Sequence, residues 1–374
     1  MGIVYSKADR TFTIQTKNTT YQMQIDAYGF LMHLYYGRKT DGVMDYLLTY
    51  ADRGFSGNPQ DAGNDRTYSL DVLPQEFPCR LTGDFRSPVL DLVNADGSFG
   101  CDLRYQGYEI CAGKYNLKGL PAVYAAEEEA QTLIIYMKDQ VTGLQVELLY
   151  GVLPEYDVIT RSAKVINTEE DKIRLTKAQA ACIDFVHGEF DIISFYGRHA
   201  MERNMQRTPA GHGAFVIGSR RGTSSHQYNP MMILAEKETT EDAGTCYGMS
   251  FVYSGGFKAE VEKDQFGQTR MQMGLQEEQF SYPLEKGEEF VIPEVMLTCS
   301  SQGLGKLSQN LQRCIRKNLC RGKYKEKVRP VLINSWEACY FDFTGEDIYH
   351  LAEQAKDLGA EIRFEQVTAI ETAE

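Results

Sequence analysis

Most of the chain before residue 300 alternates between hydrophobic and polar residues or runs through short apolar stretches. Residues 11–15, 21–25 and 144–148 alternate with a period of two, and residues 132–137 form a continuous apolar run of strand length. Residues 157–166 are rich in β-branched side chains. Because successive side chains of a strand point to opposite faces, the alternating segments predict strands with one buried face and one solvated face.

Further strands are predicted at residues 248–253 and 290–299, and turn residues separate the apolar segments. The Asn-Ala-Asp-Gly sequence at 94–97 and the Ser-Gly-Gly sequence at 254–256 are typical of such turns. A series of more than about a dozen strands favours large stacked sheets over one small barrel.

The pattern changes to helical spacing after residue 300. The apolar residues that recur every three or four positions are Leu304, Leu307, Leu311, Cys314, Ile315 and Leu319. They predict an amphipathic helix that ends near Gly322. The basic segment 321–327 is interpreted as a linker.

A short apolar strand at 331–334 and a second helix follow the linker. Thr344 and Asp347 have the spacing of a capping box, and Gly359 is suited to the C′ position. The predicted apolar stripe of this helix consists of Ile348, Leu351, Ala352, Ala355 and Leu358. A strand followed by a helix is typical of the opening unit of a parallel α/β domain.

Composition and charge exclude several classes of protein. Hydrophobic residues make up 43% of the chain and charged residues 24%, which is ordinary globular composition. The net charge of −13 disfavours a nucleic-acid partner. No apolar run is long enough to span a membrane, and the N-terminus lacks the apolar segment of a secretion signal.

The nine cysteines are scattered, and no pair has the C-x-x-C spacing of a metal site. We therefore expect reduced thiols, a cytoplasmic location and no structural zinc. His187 with Asp184 and Glu189 does not define a metal site, because nothing in the sequence fixes the ligands. We likewise expect no serine triad at residues 224–226, because adjacent residues rarely assemble one.

Several segments resemble glycoside hydrolase family 36. They are DRGFSGNP (52–59), DRTYSLD (65–71), LPQEFP (73–78), TGDFR (82–86), SRRG (219–222), SHQYNP (225–230), FVYSG (251–255) and RPVLINSWEACYFDF (329–343). The resemblance covers residues 3 to 362 in order.

The resemblance implies a mainly β fold, in which a large antiparallel β-supersandwich precedes a (β/α)8 catalytic barrel. We expect the supersandwich at 1–300, a linker helix and connection at 301–328, and one βα unit as a truncated start of the barrel at 329–374. The implied activity is that of an α-galactosidase, which removes terminal α-linked galactose from melibiose- or raffinose-type oligosaccharides with retention of configuration. Related enzymes act on N-acetylgalactosamine or transfer galactose.

The family's two catalytic aspartates lie on later barrel strands, and residues 363–374 do not match the family's next strand. We therefore expect no catalytic residue in this chain, and we expect the chain to be inactive by itself. No cofactor is expected. A non-catalytic glycan-binding or oligomerisation module is the alternative interpretation.

Three residues carry substrate-binding roles by resemblance. Trp336, at the end of the first barrel strand, would stack on the apolar face of galactose, or else it would fill a domain interface. Asp52 would accept hydrogen bonds from sugar hydroxyls, or else it would pair with Arg53 or cap a turn. His199 stands where some relatives have a tryptophan that lines the sugar pocket, and it could donate a hydrogen bond or be an ordinary loop histidine. In several relatives, which are tetramers, the loop of Asp52 reaches a neighbouring subunit, so a homo-oligomer is expected.

Overall fold

The computed structural model describes residues 2–54, 57–168, 171–328, 331 and 334–359. It contains two compact units, Met1–Leu319 and Cys320–Glu374. Within the described residues the strands are β1 Gly2–Ser6, β2 Thr11–Gln15, β3 Thr19–Ile25, β4 Leu31–Arg38, β5 Leu90–Val93, β6 Leu103–Ala112, β7 Gln131–Asp139, β8 Gln145–Leu153, β9 Val158–Ile166, β10 Ile173–Phe185, β11 Phe190–Arg198, β12 Met201–Pro209, β13 Gly213–Gly218, β14 Tyr228–Glu236, β15 Cys246–Phe251, β16 Phe257–Lys263, β17 Thr269–Leu275, β18 Tyr282–Leu284 and β19 Glu289–Ser300. The α-helices are α1 Gly303–Cys314, α2 Trp336–Cys339 and α3 Gly345–Asp357.

The strands of the first unit form three antiparallel sheets. One sheet is the four-stranded meander β1-β2-β3-β4. A second has the order β13-β16-β17-β10-β18, with β5 also paired to β10. The third is a nine-stranded sheet with the order β12-β11-β14-β15-β19-β9-β8-β7-β6. This architecture confirms the predicted mainly β, antiparallel fold.

The main hydrophobic core draws side chains from all three sheets. Phe12 of the meander, Leu148 of the nine-stranded sheet and Met271 of the sheet that contains β17 are each 0% exposed and belong to one cluster. In β2, Phe12 and Ile14 are buried, whereas Thr13 and Gln15 are partly exposed. The period-two pattern therefore does select the buried face of this strand.

The predicted amphipathic helix is α1, and a π-helical turn at Ile315–Leu319 continues it. Leu307, Leu311 and Cys314 are buried in a second cluster, together with Ile233 and Met296 of the nine-stranded sheet. The helix thus covers the face of this sheet that does not pack against the main core.

The described part of the second unit contains α2 and α3. Thr344 forms the predicted capping box with Asp347, and Gly359 has the expected left-handed backbone (φ 78°). Of the predicted apolar stripe, Ala355 is buried, Ile348, Leu351 and Ala352 are partly exposed, and Leu358 is 88% exposed. Leu358 is the C-cap residue, with φ −82° and ψ 1°, and lies past the last helical turn.

The strand predicted at 331–334 lies partly outside the described residues, because these exclude Leu332 and Ile333. Residues 363–374 also lie outside them. No helix in the described part of the chain is long and apolar enough to cross a membrane.

Candidate functional site

Asp52 lies in the long loop between β4 and β5. Its carboxylate accepts a hydrogen bond from the Gly54 amide at 2.8 Å, and its Oδ2 atom is 3.2 Å from Nε of Arg66. The side chains of Asp52 and Arg66 are 48% and 67% exposed, respectively. Because an exposed ion pair contributes only about 0–1 kcal/mol, a sugar hydroxyl could compete for either partner at little cost.

Arg66 is a residue that the sequence analysis missed. An ion pair with Arg53 was one alternative for Asp52, but the guanidinium of Arg53 lies 5.4 Å from the centre of the Phe266 ring. Arg66 belongs to the segment 65–71, which resembles the family, but the resemblance assigned Arg66 no role. Its pairing with Asp52, fourteen residues away, depends on the course of the loop, which no local pattern predicts.

His199 occupies the tight turn between β11 and β12. The pairing of β11 and β12 shifts register at Gly197. Glycine is required at this position, because a Cβ atom would lie 2.5 Å from the Met201 carbonyl oxygen. Ala200 adopts a left-handed backbone (φ 61°), and its amide donates to the Glu202 carboxylate at 3.0 Å. These constraints hold the turn, and the His199 side chain is exposed on it.

Two histidines adjoin the carboxylate of this turn. The backbone amides of Glu202 and Ala200 lower the pKa of the Glu202 carboxyl, and the nearby charges of His199 and His226 lower it further. His226 belongs to the segment 225–230 that resembles the family. The turn is thus a polar, hydrogen-bonding surface rather than an apolar stacking platform.

Asp52 and His199 lie at opposite ends of the paired strands β13 and β16. The Asp52 loop contacts Phe266, in the turn after β16, beside the start of β13. The His199 hairpin donates a backbone hydrogen bond to the Gln227 carbonyl oxygen at 3.2 Å, and Arg221, just beyond the end of β13, bonds the Gln227 side chain at 3.3 Å. The two ends of β13 are five residues apart, or roughly 17 Å at about 3.4 Å per residue. These contacts associate Asp52 with one end of β13 and His199 with the other.

Trp336 belongs to the second unit, where it begins α2. Its backbone amide donates to the Asn334 side chain at 2.8 Å. Its ring meets Phe341 and Tyr340 edge to face, with centroid distances of 4.7 and 5.7 Å. The side chain is 44% exposed, so part of the indole can contact a ligand.

Three of the most deeply buried carboxylates form ion pairs. Glu76 pairs with Arg161 at 2.5 Å, and Glu294 pairs with Lys114 at 2.6 Å. Asp184, one member of the trio with His187 and Glu189, pairs with Arg270 at 2.7 Å. Glu189 is also engaged, with Lys263 at 2.9 Å. These ion pairs belong to the structural framework. Each carboxylate already has a cationic partner within the chain.

Comparison with known proteins places these residues in a family context. The sequence model of the glycosyl hydrolase family 36 N-terminal domain matches residues 29–285, and the melibiase model matches residues 289–365. The bifunctional α-galactosidase/sucrose kinase AgaSK of Mediterraneibacter gnavus is 60% identical over 362 residues, covering 97% of this chain and 39% of that protein. The α-galactosidase Mel36A of Lactobacillus acidophilus is 41% identical, covering 96% of this chain and 49% of that protein.

Solved structures agree with the sequence comparison. The galactosidase domain of AgaSK superposes with a TM-score of 0.93, covering 96% of this chain and 50% of that one. A variant of AgaA from Geobacillus stearothermophilus, solved in complex with raffinose, is 40% identical and has a TM-score of 0.90, covering 94% of this chain and 49% of that one. The chain spans about half the length or less of the curated relatives named above. Because the N-terminal domain model alone matches more than half of its residues, the chain belongs to glycosyl hydrolase family 36.

Proposed function

We propose that this chain forms the N-terminal part of an α-galactosidase that removes terminal α-linked galactose from melibiose- and raffinose-type oligosaccharides. The observation that carries the proposal is the 60% identity to the α-galactosidase/sucrose kinase over 97% of the chain. Structures of AgaA variants with raffinose and with stachyose support the substrate class. No comparable observation favours a purely non-catalytic module.

In this proposal the chain contributes binding groups rather than the reacting groups. The half-exposed indole of Trp336 stacks on the apolar face of the galactose ring. The carboxylate of Asp52 accepts hydrogen bonds from adjacent hydroxyls, with Arg66 beside it as a donor. His199 offers a further hydrogen bond from its turn. Because the contacts of Asp52 and His199 lie at opposite ends of β13, we propose that the two residues serve the pockets of different subunits in a homo-oligomer.

The nucleophile and the acid/base belong to a barrel that continues beyond the matched segment. A retaining glycosidase needs two carboxyl groups about 5–5.5 Å apart, one to attack and one to protonate the leaving oxygen. The buried carboxylates Glu76, Asp184 and Glu294 are held by cations and are unsuited to either role. We therefore propose that the 374-residue chain alone is inactive.

We also propose a division into three segments. Residues 1–300 form the supersandwich domain, residues 301–328 form the linker helix and connection, and residues 329–374 form the start of the barrel. The enzyme needs no cofactor and acts in the cytoplasm.

A chimaera tests the binding roles. Residues 1–362 are joined to the aligned remainder of the AgaSK galactosidase domain, and hydrolysis of raffinose is measured. Because a hydrogen bond to a charged group contributes about 1.5–3 kcal/mol, Asp52→Asn should lower kcat/KM by about ten- to a hundredfold. Trp336→Ala should raise KM. Trp336→Phe should raise KM less, because a phenyl ring retains part of the stacking.

Asp96→Asn is the matched control for Asp52→Asn. Asp96 also accepts a backbone amide two residues ahead, from Ser98 at 2.9 Å, in an exposed turn. An Asp52→Asn chimaera as active as the Asp96→Asn chimaera would remove Asp52 from the proposed site. Unchanged kinetics in Trp336→Ala would do the same for the stacking role.

A further inference from the structure

A cleft that neither Asp52 nor Trp336 lines opens between the loop after β13 and the loop between β17 and β18. Its volume is about 490 Å³, within the range of about 300–1,000 Å³ that is typical of small-molecule sites. Three aromatic residues, Tyr253, Phe280 and Phe290, line it together with Arg220 and Glu278. The cleft lies wholly within the first unit.

The aromatic wall presents partly exposed ring surfaces. Phe290 packs against Phe280 and Tyr282, with centroid distances of 5.8 and 4.6 Å. The Tyr253 ring lies directly over Gly255, where a Cβ atom would be 2.1 Å from the ring. Glycine at 255 therefore allows the Tyr253 ring its position in the cleft, and the wall offers apolar faces with one phenolic hydroxyl.

The polar wall carries balanced charge. Arg220 forms an ion pair with Glu278, and their side chains are 75% and 51% exposed. Gln276 adds an amide to the same wall. One cation and one anion cancel, so the cleft has no preference for a charged ligand. A guanidinium and a carboxylate side by side instead match vicinal hydroxyls, which both donate and accept hydrogen bonds.

Backbone hydrogen bonds join the loops that form the cleft. Ser219 donates to the Phe257 carbonyl oxygen at 2.9 Å, and Gln276 donates to that of Gly256 at 3.3 Å. Ser224 donates to Ser254 at 2.7 Å. A preformed cleft spares a ligand the cost of ordering loops on binding.

An adjoining cavity of about 840 Å³ extends the cleft. The two cavities share Arg220, Gln276 and Glu278. The second adds an amide and an aromatic ring, Gln227 and Tyr228, together with the charged residues Arg221, Lys258 and Glu277. Lys258 pairs with Glu277 at 2.6 Å, and Arg221 donates a hydrogen bond to the Gln227 side chain at 3.3 Å. The two cavities are joined through their shared residues.

We propose that this groove, whose lining includes neither Asp52 nor Trp336, is a binding site for a neutral oligosaccharide. One sugar ring stacks on the wall of Tyr253, Phe280 and Phe290, and its hydroxyls bond the pair of Arg220 and Glu278. The next ring extends toward Gln227 and Tyr228. The proposal does not depend on the proposed catalytic role.

Titration of the intact 374-residue chain with raffinose, followed by saturation-transfer NMR, tests the site. We expect saturable binding in the millimolar range. Because truncating a stacking aromatic removes about 1.4 kcal/mol or more, Tyr253→Ala should raise Kd by about tenfold or more. Glu278→Gln should also weaken binding. Because Glu278 is exposed and the substitution keeps the side-chain shape, this variant should fold and tests the site even if Tyr253→Ala does not fold.

Two matched variants locate the binding. Tyr46→Ala removes a tyrosine that is 67% exposed elsewhere on the chain, and Glu127→Gln neutralises an exposed carboxylate that has no role in the groove. Both should leave Kd unchanged. No raffinose binding to the unmodified chain would overturn the proposal. So would binding whose Kd is the same in Tyr253→Ala and Glu278→Gln as in the unmodified chain.

Discussion

At the scale of single residues, the first unit is organised around buried charges. Glu76 is fully buried and accepts hydrogen bonds from Tyr21 at 2.6 Å and Tyr150 at 2.8 Å, besides its ion pair with Arg161. Burial alone would raise the pKa of the Glu76 carboxyl, but the charge of Arg161 and the hydrogen bond with His33 outweigh burial and lower it. The carboxylate is thus kept ionised between the sheets.

Removing the cation of this pair should destabilise the chain strongly. In Arg161→Met the Glu76 charge stays buried without compensation, so the free energy of unfolding should fall by about 3–5 kcal/mol. Urea denaturation followed by circular dichroism measures the change. The control is Lys17→Met, which breaks an exposed pair with Glu155 and should cost less than about 1 kcal/mol. Equal effects in the two variants would contradict the role of the buried pair.

Asp184 predicts a pH dependence of stability. Burial raises the pKa of its carboxyl, but Arg270 and then Arg86 lower it more, to about 2. The unfolded value is near 4, so the stabilisation is fully present above about pH 4 and is lost as pH falls toward about 2. It amounts to about 2–3 kcal/mol, because one pKa unit corresponds to about 1.4 kcal/mol. Urea unfolding across this window should show the loss, and Asp184→Asn, less stable throughout, should have a flatter profile. A variant with the same slope as the parent chain would refute the assignment.

These buried charges could not be predicted from the sequence. Charged residues are usually exposed, and the partners Glu76 and Arg161 are 85 positions apart in the chain, so no spacing joins them. The capping box of Thr344 and Asp347 was predictable because its geometry is local. For Asp52, the turn hydrogen bond with Gly54 could be predicted because the two residues are close in sequence. The ion pair with Arg66 could not, because the partners are fourteen residues apart.

Among the elements, the pattern predicted several strands with a buried face but missed others, such as β10 and β16. The strand predicted at residues 11–15 is β2, and the segment at 290–299 lies within β19. Strand β12 was also missed. It is an edge strand whose residues are exposed or only partly buried, so no face imposes a hydrophobic period. The hairpin of His199 was for this reason predicted only as a loop.

The junction between β19 and α1 depends on a glycine. Gly303 has φ 79°, and a Cβ atom there would lie 2.4 Å from the Glu241 carbonyl oxygen. Gly287 has a similar φ of 76°, and a Cβ atom there would meet nothing within 4 Å. Substitution of Gly287 therefore measures the cost of the left-handed backbone without a steric clash. Gly287→Ala should lower the free energy of unfolding by about 1–2 kcal/mol, and Gly303→Ala should lower it further because backbone must move. Thermal or urea unfolding of both variants measures the difference. If Gly303→Ala costs no more than Gly287→Ala, the close approach has no energetic role.

At the scale of the whole molecule, sheet order decides which residues meet. The presence of large antiparallel sheets was predictable from the strands, but their order was not, because β9 pairs with β19 across more than a hundred residues. This order puts Asp52 and His199 at opposite ends of β13.

Subunit complementation tests the assignment of Asp52 to a neighbouring pocket. Chimaeras carrying Asp52→Asn and Trp336→Ala are each expected to be weakened against raffinose. Refolding them as a mixture should restore part of the activity, because some pockets then combine an intact Trp336 with a partner's intact Asp52. Activity of the refolded mixture equal to the mean of the two separate chimaeras would place both residues in one subunit's pocket.

We have proposed that this polypeptide provides scaffold and galactose-binding groups for a reaction whose carboxylates lie elsewhere. The turnover of p-nitrophenyl α-galactoside by the purified, folded 374-residue chain, measured beside the chimaera with the AgaSK remainder, tests this division of roles. We expect release of p-nitrophenol by the chimaera and none above background by the chain alone. Turnover by the chain alone that persists through purification would show that this polypeptide carries its own reacting carboxylates.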